Sequence, residues 1–269
     1  METLEAKPLC EQMLAHRDGG IGWISFNNPA RRNAVSVAMW QALGEILDDF
    51  ASDDSIRVIV LRGTGGKAFV SGADISEFEK HRSTPETTEA YRQIAQSATK
   101  KLQNIGKPTI AMIEGYCIGG GVSVAISCDL RIAADNARFG VPAAKLGLGY
   151  EAEGIRKLVD LVGPAHAREI FYTARQYPAA EALAMGLVNR LVEAAELENF
   201  VRDYAGAMAA NAPLTVGSIK TIIGELLKDP DQRDEQLCQQ VVDECFASQD
   251  YIEGRRAFLE KRPPAFTGT

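Results

Sequence analysis

Three consecutive glycines, Gly119, Gly120 and Gly121, constrain the fold of this chain more than any other sequence feature. An apolar run typical of a strand, residues 108–113, precedes them, and an apolar run typical of a helix, residues 122–127, follows them. Glycine lets the backbone turn sharply and leaves N–H groups that no side chain covers. At the N-terminus of a helix, such N–H groups favour negative charge. We therefore predict an active-site turn that binds an oxyanion.

Short apolar runs alternate with segments of helical periodicity along the first two thirds of the chain. Residues 21–26 and 58–61 predict buried strands, and residues 36–50 carry apolar side chains at helical spacing. Residues 84–105 predict a long helix with Thr84 as its cap. The polar sequence after residue 75 is also compatible with a helix. Alternating strands and helices predict a mixed α/β core.

After about residue 179 the strand signals fade. The remaining apolar patterns have helical spacing, so the C-terminal third is predicted to be helical. The predicted helices cover residues 180–187, 197–210, 214–227 and 236–259.

Charge and cysteine usage exclude several classes of function. The 29 basic and 36 acidic residues give a net charge of −7, which argues against a surface that binds nucleic acid or an acidic membrane. The five cysteines show neither CxxC nor Cys/His ligand spacing, so we expect reduced thiols and no metal site. No segment has the pattern of a signal peptide or approaches ~20 apolar residues. A soluble cytoplasmic protein is expected.

Two other motifs come close to known active-site signatures without meeting them. Gly66-Lys67 suggests a phosphate loop, but Leu61 and Ala68 occupy the positions that need glycine and Ser or Thr. Ser123 lies in a sequence one glycine short of a serine-hydrolase elbow, and His166 is the only histidine that follows it. We interpret Ser123 as a small helix residue and the Gly66 region as a turn.

Several short motifs occur in a specific order along nearly the whole chain. The motifs are Asn28-Pro29, Arg32-Asn33-Ala34, Ser71-Gly72-Ala73-Asp74-Ile75, Gly115, Gly119-Gly120-Gly121, Cys128-Asp129, residues 180–189, Glu253-Gly254 and residues 257–262. In that order and spacing they resemble the crotonase, or enoyl-CoA hydratase/isomerase, superfamily.

The resemblance implies a fold, an assembly and a substrate class. The fold would be a crotonase/ClpP-like spiral of ββα repeats, with residues 1–195 forming the core that holds the acyl-CoA site. Residues 196–269 would form a helical oligomerisation region, used to build a homotrimer or a hexamer made of two trimers. The substrate would be an acyl-CoA thioester. No separate cofactor is implied, because coenzyme A enters as part of the substrate.

The resemblance also implies where the substrate binds. The thioester oxygen would be held by the backbone N–H groups of Ala73 and Gly120. Arg32 and Ala34 would lie along the nucleotide and pantetheine, and residues 73–75, including Asp74 and Ile75, around the adenine and the pantetheine amide. Asp74 has a structural alternative, which is to cap the helix that follows it.

The C-terminal helix contributes two further candidates for coenzyme A binding. Lys261, with Phe258, is implied to reach the 3′-phosphate or adenine of a ligand bound to a neighbouring subunit. The alternative is that Lys261 only complements the negative end of its own helix.

At the catalytic side chains the sequence departs from the hydratase pattern. Hydratases of this superfamily carry one glutamate three residues after the middle glycine and another after the proline that follows the Phe-Gly strand. Those positions hold Ser123 and Ala143 here. General acid and base groups each contribute ~10²–10⁴-fold to rate, so ordinary hydratase activity is expected to be weak.

Acidic residues return a few positions later in the chain. Glu151 falls where dienoyl-CoA isomerases and hydroxyacyl-CoA hydrolases of the superfamily carry an aspartate. If Glu151 is buried beside apolar side chains, its pKa should rise and suit proton transfer near neutral pH. Glu151 is therefore the preferred catalytic candidate, with Glu153 and Tyr150 as alternatives. Either glutamate has a structural alternative, because acidic residues also favour the start of a helix near Gly154.

Three functional hypotheses remain open at this stage. The first is an enolate-stabilising isomerase or atypical hydratase in which Glu151 moves the proton. The second is an acyl-CoA hydrolase, decarboxylase or C–C lyase that uses the same oxyanion site. The third is an acyl-CoA-binding protein without chemistry.

Overall fold

The computed structural model describes residues 10–77 and 83–269. Within these residues the strands form a six-stranded sheet and a four-stranded sheet. The strands are β1 (Met13–Asp18), β2 (Ile21–Phe26), β3 (Val58–Gly63), β4 (Ala68–Val70), β5 (Thr109–Ile113), β6 (Tyr116–Ile118), β7 (Leu130–Ala134), β8 (Arg138–Gly140), β9 (Tyr177–Pro178) and β10 (Arg190–Val192).

The helices lie between the strands in the first two thirds of the chain and follow one another after β10. They are α1 (Val37–Ser52), α2 (Pro85–Asn104), α3 (Gly120–Ser127), α4 (Ala143–Leu146), α5 (Ala152–Thr173), α6 (Ala179–Ala184), α7 (Leu197–Ala209), α8 (Pro213–Leu226), α9 (Glu235–Ala247) and α10 (Gln249–Glu260). In the part of the chain described here, no helix is both long and apolar enough to cross a membrane.

Three pairs of consecutive strands are each divided between the two sheets. The large sheet has the order β1-β2-β3-β5-β7-β10 and the small sheet the order β4-β6-β8-β9. Each pair β3–β4, β5–β6 and β7–β8 therefore puts its first strand in the large sheet and its second in the small one, and a helix follows. This arrangement confirms the predicted ββα repeat and the mixed α/β fold.

The large sheet is buried on both faces. Its strands are parallel from β2 to β10, and β2 and β5 are buried at every residue, as is typical of parallel strands covered by helices. On one face, the helices α1 and α2 pack against each other and share an apolar cluster with the sheet. The Trp40 indole N–H of α1 donates to the Tyr91 hydroxyl of α2 at 3.0 Å. The opposite face packs against α7. Helix α7 thus covers the sheet, while the assembly role predicted for residues 196–269 stays a prediction.

The predicted helix boundaries hold in one place and are wrong in another. Helix α2 begins where predicted, with the Thr84 hydroxyl accepting from the Thr87 N–H at 3.3 Å. The single helix predicted over residues 236–259 is wrong, because two helices, α9 and α10, are separated there by Ser248. Ser248 has an extended backbone, and its hydroxyl accepts from the Tyr251 N–H at 3.0 Å. It therefore caps α10 and ends α9. Of the helix-compatible segment after residue 75, residues 78–82 lie outside the described residues.

Candidate active site

The three glycines between β6 and α3 are required for different reasons. Gly119 has φ 55° and ψ −110°, a conformation that side chains disfavour. A Cβ added at Gly121 would lie closer than 3.0 Å to the Val70 carbonyl oxygen, so close packing excludes any side chain. A Cβ at Gly120 would meet the Ala73 nitrogen at 3.7 Å, an ordinary van der Waals distance. At Gly120, neither backbone conformation nor packing explains the glycine.

The backbone nitrogen of Ala73 lies close to Gly120, 3.7 Å from the position that a Cβ on Gly120 would take. A parallel bridge holds the Ala73 segment, in which the Val35 N–H donates to the Gly72 oxygen at 2.9 Å and the Asp74 N–H donates to the Val35 oxygen at 3.0 Å. Gly120 is the first residue of α3, where backbone N–H groups have no acceptor in the helix. Among residues 10–77 and 83–269, neither the Ala73 nor the Gly120 N–H donates to a protein acceptor. Two such donors can stabilise one anionic oxygen.

A buried asparagine holds the loop before the bridge against β4. Asn33 is fully buried with φ 56°, a left-handed conformation that asparagine tolerates better than most residues. Its Oδ1 accepts from the Asn28 N–H at 2.9 Å, and its Nδ2 donates to the Ala68 oxygen at 2.7 Å. The sequence places Asn33 in a motif without giving it a role, and its polar contacts are what fix the loop next to Ala73.

The predicted coenzyme A residues fall into two groups. The bridge between Val35 and Ala73 brings the segment with Arg32 and Ala34 next to the segment with Asp74 and Ile75. The Arg32 guanidinium lies over the Tyr116 ring, 4.9 Å from its centroid, and the Ile75 side chain is exposed. Phe258 and Lys261 lie outside this group, at the exposed end of α10.

Asp74 has a clear structural role. Its side chain is 11% exposed and accepts from the Arg31 guanidinium at 2.8 Å, from the Ser76 N–H at 3.0 Å and from the Ser76 hydroxyl at 2.7 Å. Burial acts to raise the pKa of Asp74, but the hydrogen bonds from Ser76 and Arg31 outweigh it, and the pKa is lowered. The carboxylate fixes the 3₁₀ turn Ile75–Glu77 directly after Ala73.

Removing this charge is expected to lower stability in a pH-dependent way. Because the folded-state pKa of Asp74 is lowered, its stabilisation is present above the unfolded pKa of about 3.9 and is lost as the pH falls through the folded value. Asp74→Asn should reduce the free energy of unfolding by about 1–3 kcal/mol at pH 7 and by much less at pH 3. Urea unfolding at both pH values measures this. Asp203→Asn is the control, since Asp203 is exposed and makes no hydrogen bond among the described residues. An equal loss at both pH values would show that the charge of Asp74 is not responsible.

The positions that the resemblance assigns to the two hydratase glutamates lie on α3 and α4. Ser123 is half-buried in α3, and its carbonyl oxygen accepts from the Ser127 hydroxyl at 2.8 Å. Ala143 begins α4 and is 5% exposed. Neither position carries a titratable group. No hydrogen bond joins Ser123 to His166 within the described chain, and His166 lies exposed, 3.8 Å from Glu169. The geometry therefore gives no support to a serine hydrolase.

Glu151 lies at the N-cap position of α5 and faces α2. Its two carboxylate oxygens accept from the Arg92 guanidinium and from the Gln96 amide, while its side chain makes no cap hydrogen bond. Arg92 is also paired with Glu89. The Glu151 side chain is 42% exposed, so the burial that the sequence interpretation required is not found. Arg92 and Gln96 were missed, although their spacing of four puts them on one face of a predicted helix.

The two alternative candidates lie on either side of Glu151. Glu153 is in the first turn of α5, 3.4 Å from the Lys100 ammonium and 3.8 Å from that of Lys157. Tyr150 is half-buried and packs edge-on against Phe171, with ring centroids 5.0 Å apart. Glu153 is thus part of an exposed ionic cluster between α2 and α5, whereas Tyr150 packs against the core.

The described residues hold no group of side chains suited to a metal ion, and their two buried thiols, Cys117 and Cys128, are not activated. No three His, Cys, Asp or Glu side chains in residues 10–77 and 83–269 are grouped so that they could hold a metal ion. Burial raises the pKa of the Cys117 thiol and raises the pKa of Cys128 to about 12, so both thiols are protonated at neutral pH.

Comparison with known proteins identifies similarity along nearly the whole chain. The family model described as Enoyl-CoA hydratase/isomerase matches residues 16–269. A short-chain-enoyl-CoA hydratase of Clostridium acetobutylicum is 33% identical over 93% of this chain and 95% of its own length. The carnitinyl-CoA dehydratase of Escherichia coli K12 is 32% identical over 97% of this chain and all of its own.

Solved structures show the same relationship. An enoyl-CoA hydratase/carnithine racemase from Magnetospirillum magneticum superimposes with a TM-score of 0.91, at 37% identity over 97% of both chains. An enoyl-CoA hydratase from Bacillus anthracis gives a TM-score of 0.90, at 30% identity over 96% of this chain and 100% of its own.

Proposed function

The chain belongs to the enoyl-CoA hydratase/isomerase family, and we propose that it processes an acyl-CoA thioester through an enolate held by the Ala73 and Gly120 N–H groups. The observation that carries the proposal is the position of these two donors. The Ala73 nitrogen lies 3.7 Å from the Cβ position of Gly120, neither N–H donates to a protein acceptor among the described residues, and Gly120 is the first residue of helix α3. Each oxyanion donor of this kind typically contributes about 2.7–4 kcal/mol to transition-state stabilisation.

The reaction we propose is double-bond isomerisation or an atypical hydration. Ser123 and Ala143 cannot activate water as a pair of glutamates would. We assign the proton transfer to Glu151. Its oxygens accept one hydrogen bond each, from Arg92 and Gln96, and a carboxylate oxygen has a second lone pair that remains for a substrate proton. Glu153 and Tyr150 are the alternative groups.

The proposed coenzyme A path runs along the bridge between Val35 and Ala73. Arg32 would bind the nucleotide phosphates, Ala34 would contact the pantetheine, and Ala73 to Ile75 would face the adenine and the pantetheine amide. Asp74 supports this path indirectly by fixing the turn. Coenzyme A is part of the substrate, and no other cofactor is proposed.

A homotrimer, or a hexamer of two trimers, would complete the site with Phe258 and Lys261 of a neighbouring subunit. Large apolar side chains are exposed along α8, α9 and α10, which supports an assembly that covers them. They are Ile219, Ile223, Leu226, Phe246, Ile252, Phe258 and Leu259.

A second candidate is an acyl-CoA-binding protein without chemistry. The observation that favours it is the exposed ion pair between Glu151 and Arg92. In this candidate, Glu151 only links α5 to α2 and does not replace either of the two missing glutamates. The two donors at Ala73 and Gly120 do not separate the candidates, because binding of a thioester also uses them.

Product analysis in D₂O separates these functions. The purified protein is incubated with saturated, 2-enoyl, 3-enoyl and β-carboxylated acyl-CoAs, and products are followed by mass spectrometry and NMR. We expect deuterium at the α or γ carbon and interconversion of the 2-enoyl and 3-enoyl forms, with slow net addition of water. Free coenzyme A would indicate a hydrolase, loss of CO₂ a decarboxylase, and a shortened acyl chain a C–C lyase. Binding of every substrate without any product would favour the binding protein.

A further inference from the structure

Arg131 lies in the strand of the large sheet next to the edge strand β10, and it is a buried cation without a carboxylate partner among the described residues. Its side chain lies in β7, and the residue is 2% exposed. No carboxylate oxygen of the described residues lies within 4.0 Å of its guanidinium. Asp129, two positions earlier, is turned instead toward the Lys220 ammonium at 2.8 Å and the Thr109 hydroxyl at 2.9 Å. Buried charges are costly and are normally paired, so Arg131 calls for an explanation.

Backbone carbonyls take the place of the missing carboxylate. The Arg131 Nη1 donates to the Cys128 oxygen at 2.8 Å and to the Ala125 oxygen at 3.4 Å, and its Nε donates to the Leu187 oxygen at 2.8 Å. Ala125 lies in the last turn of α3, and Cys128 is its C-cap residue. The guanidinium therefore binds the carboxyl end of α3, where a positive charge is favoured by the helix dipole.

The backbone of Arg131 is held firmly as well. Its N–H donates to the Asn189 side-chain oxygen at 2.9 Å, and the Asn189 N–H donates to its carbonyl oxygen at 2.9 Å. Strand β7 itself lies between β5 and β10. A fixed point of the sheet thus anchors one end of α3, the helix that carries Gly120 at its other end.

We propose that Arg131 is a positioning residue for the oxyanion site: it anchors the carboxyl end of α3 and places a buried positive charge behind Gly120. The inference rests on the proposed function. Helix α3 has eight residues, so the charge lies roughly 12 Å from the Gly120 end. At an effective dielectric constant of about 20, its attraction for an oxyanion at that distance corresponds to about tenfold in rate.

Two substitutions separate the charge from the hydrogen bonds. Arg131→Lys and Arg131→Gln both keep a donor for the carbonyls of α3, but only lysine keeps the charge. Ser127→Ala is the matched control, because it removes a hydrogen bond within α3 without changing any charge. The probe is butanoyl-CoA labelled with ¹³C at the thioester carbonyl. Infrared difference spectra give the lowering of the carbonyl frequency on binding, and NMR gives the rate of α-proton exchange in D₂O.

The expected result is a large difference between the two substitutions. Arg131→Gln should lose part of the carbonyl frequency shift and about tenfold in the maximal exchange rate, with half-saturation by butanoyl-CoA unchanged within twofold. Arg131→Lys and Ser127→Ala should stay within about twofold of the wild type in both measurements. Equal values for the lysine and glutamine variants, or a glutamine variant equal to the wild type, would overturn the proposal.

The experiment remains decisive if the glutamine variant does not fold. A folded lysine variant that binds butanoyl-CoA and keeps most of the frequency shift supports the proposal, and one that loses the shift overturns it. Failure of the proposed function looks different: the wild type itself would show no lowering of the carbonyl frequency, or Gly120→Ala would retain it.

Discussion

Replacing Gly120 with alanine is expected to lower the turnover of acyl-CoA by about 100- to 1000-fold while the protein stays folded. The added Cβ would lie 3.7 Å from the Ala73 nitrogen, which the surrounding structure accommodates without a clash. It would nevertheless occupy space beside the two N–H groups that are proposed to hold the thioester oxygen. Alanine keeps the Gly120 N–H, but a thioester oxygen displaced by the Cβ loses its hydrogen bond, and losing one oxyanion hydrogen bond typically costs 10²–10³ in rate, or about 2.7–4 kcal/mol. Steady-state kinetics together with thermal unfolding measure both effects.

Gly121→Ala is the matched control in the same turn, with the opposite expectation. Its Cβ would collide with the Val70 carbonyl oxygen, a backbone atom that cannot rotate away. We expect the free energy of unfolding to fall by ~3 kcal/mol or more. If Gly120→Ala destabilises the protein as strongly as Gly121→Ala, or if it turns over acyl-CoA at the normal rate, the role given to Gly120 is wrong.

Glu151→Gln is expected to reduce turnover by about 10²–10⁴-fold, because the amide cannot accept the substrate proton. Binding of butanoyl-CoA should change little, since Glu151 is not assigned to coenzyme A. The stability should also change little, because an exposed ion pair such as Glu151–Arg92 contributes only about 0–1 kcal/mol. Kinetics, calorimetric binding and thermal unfolding of the variant measure these three quantities.

Glu153→Gln provides the comparison for Glu151. Glu153 lies on the same turn of α5 and is paired with Lys100 and Lys157 in a similar exposed setting. Its substitution should leave turnover within about threefold of the wild type if Glu151 carries the proton, as proposed. Full turnover by Glu151→Gln would show that Glu151 only links α2 to α5 and does not move the proton. If only Glu153→Gln lost turnover, the proton transfer would be assigned to Glu153.

Much of the fold could be predicted where local sequence and tertiary structure agree. The continuous apolar runs of β2, β3 and β5 predict strands because both faces of the large sheet are buried. The capping pattern at Thr84 predicts the start of α2 for a purely local reason. Strand β1 was missed because most of its side chains are at least partly exposed, so it lacks an apolar run. Its extended conformation is stabilised by antiparallel pairing with β2. The break at Ser248 was missed because apolar periodicity continues across it.

The candidate site divides in the same way. The glycine turn and the absence of carboxylates at Ser123 and Ala143 follow from the sequence alone. The environment of Glu151 does not, because the exposure of its side chain depends on where α2 places Arg92. Arg131 could not be recognised either, since its partners are backbone carbonyls that the fold brings together from distant segments.

The central claim is that the protein stabilises the enolate of a coenzyme A thioester between Ala73 and Gly120, with Glu151 moving the proton. Exchange of the α protons of butanoyl-CoA in D₂O tests it most directly, since the exchange requires enolate formation and no further chemistry. The account predicts exchange by the wild-type protein and a loss of at least 100-fold in both Gly120→Ala and Glu151→Gln at saturating butanoyl-CoA. Bound butanoyl-CoA that never exchanges in the wild type, or exchange that Gly120→Ala retains in full, would contradict it.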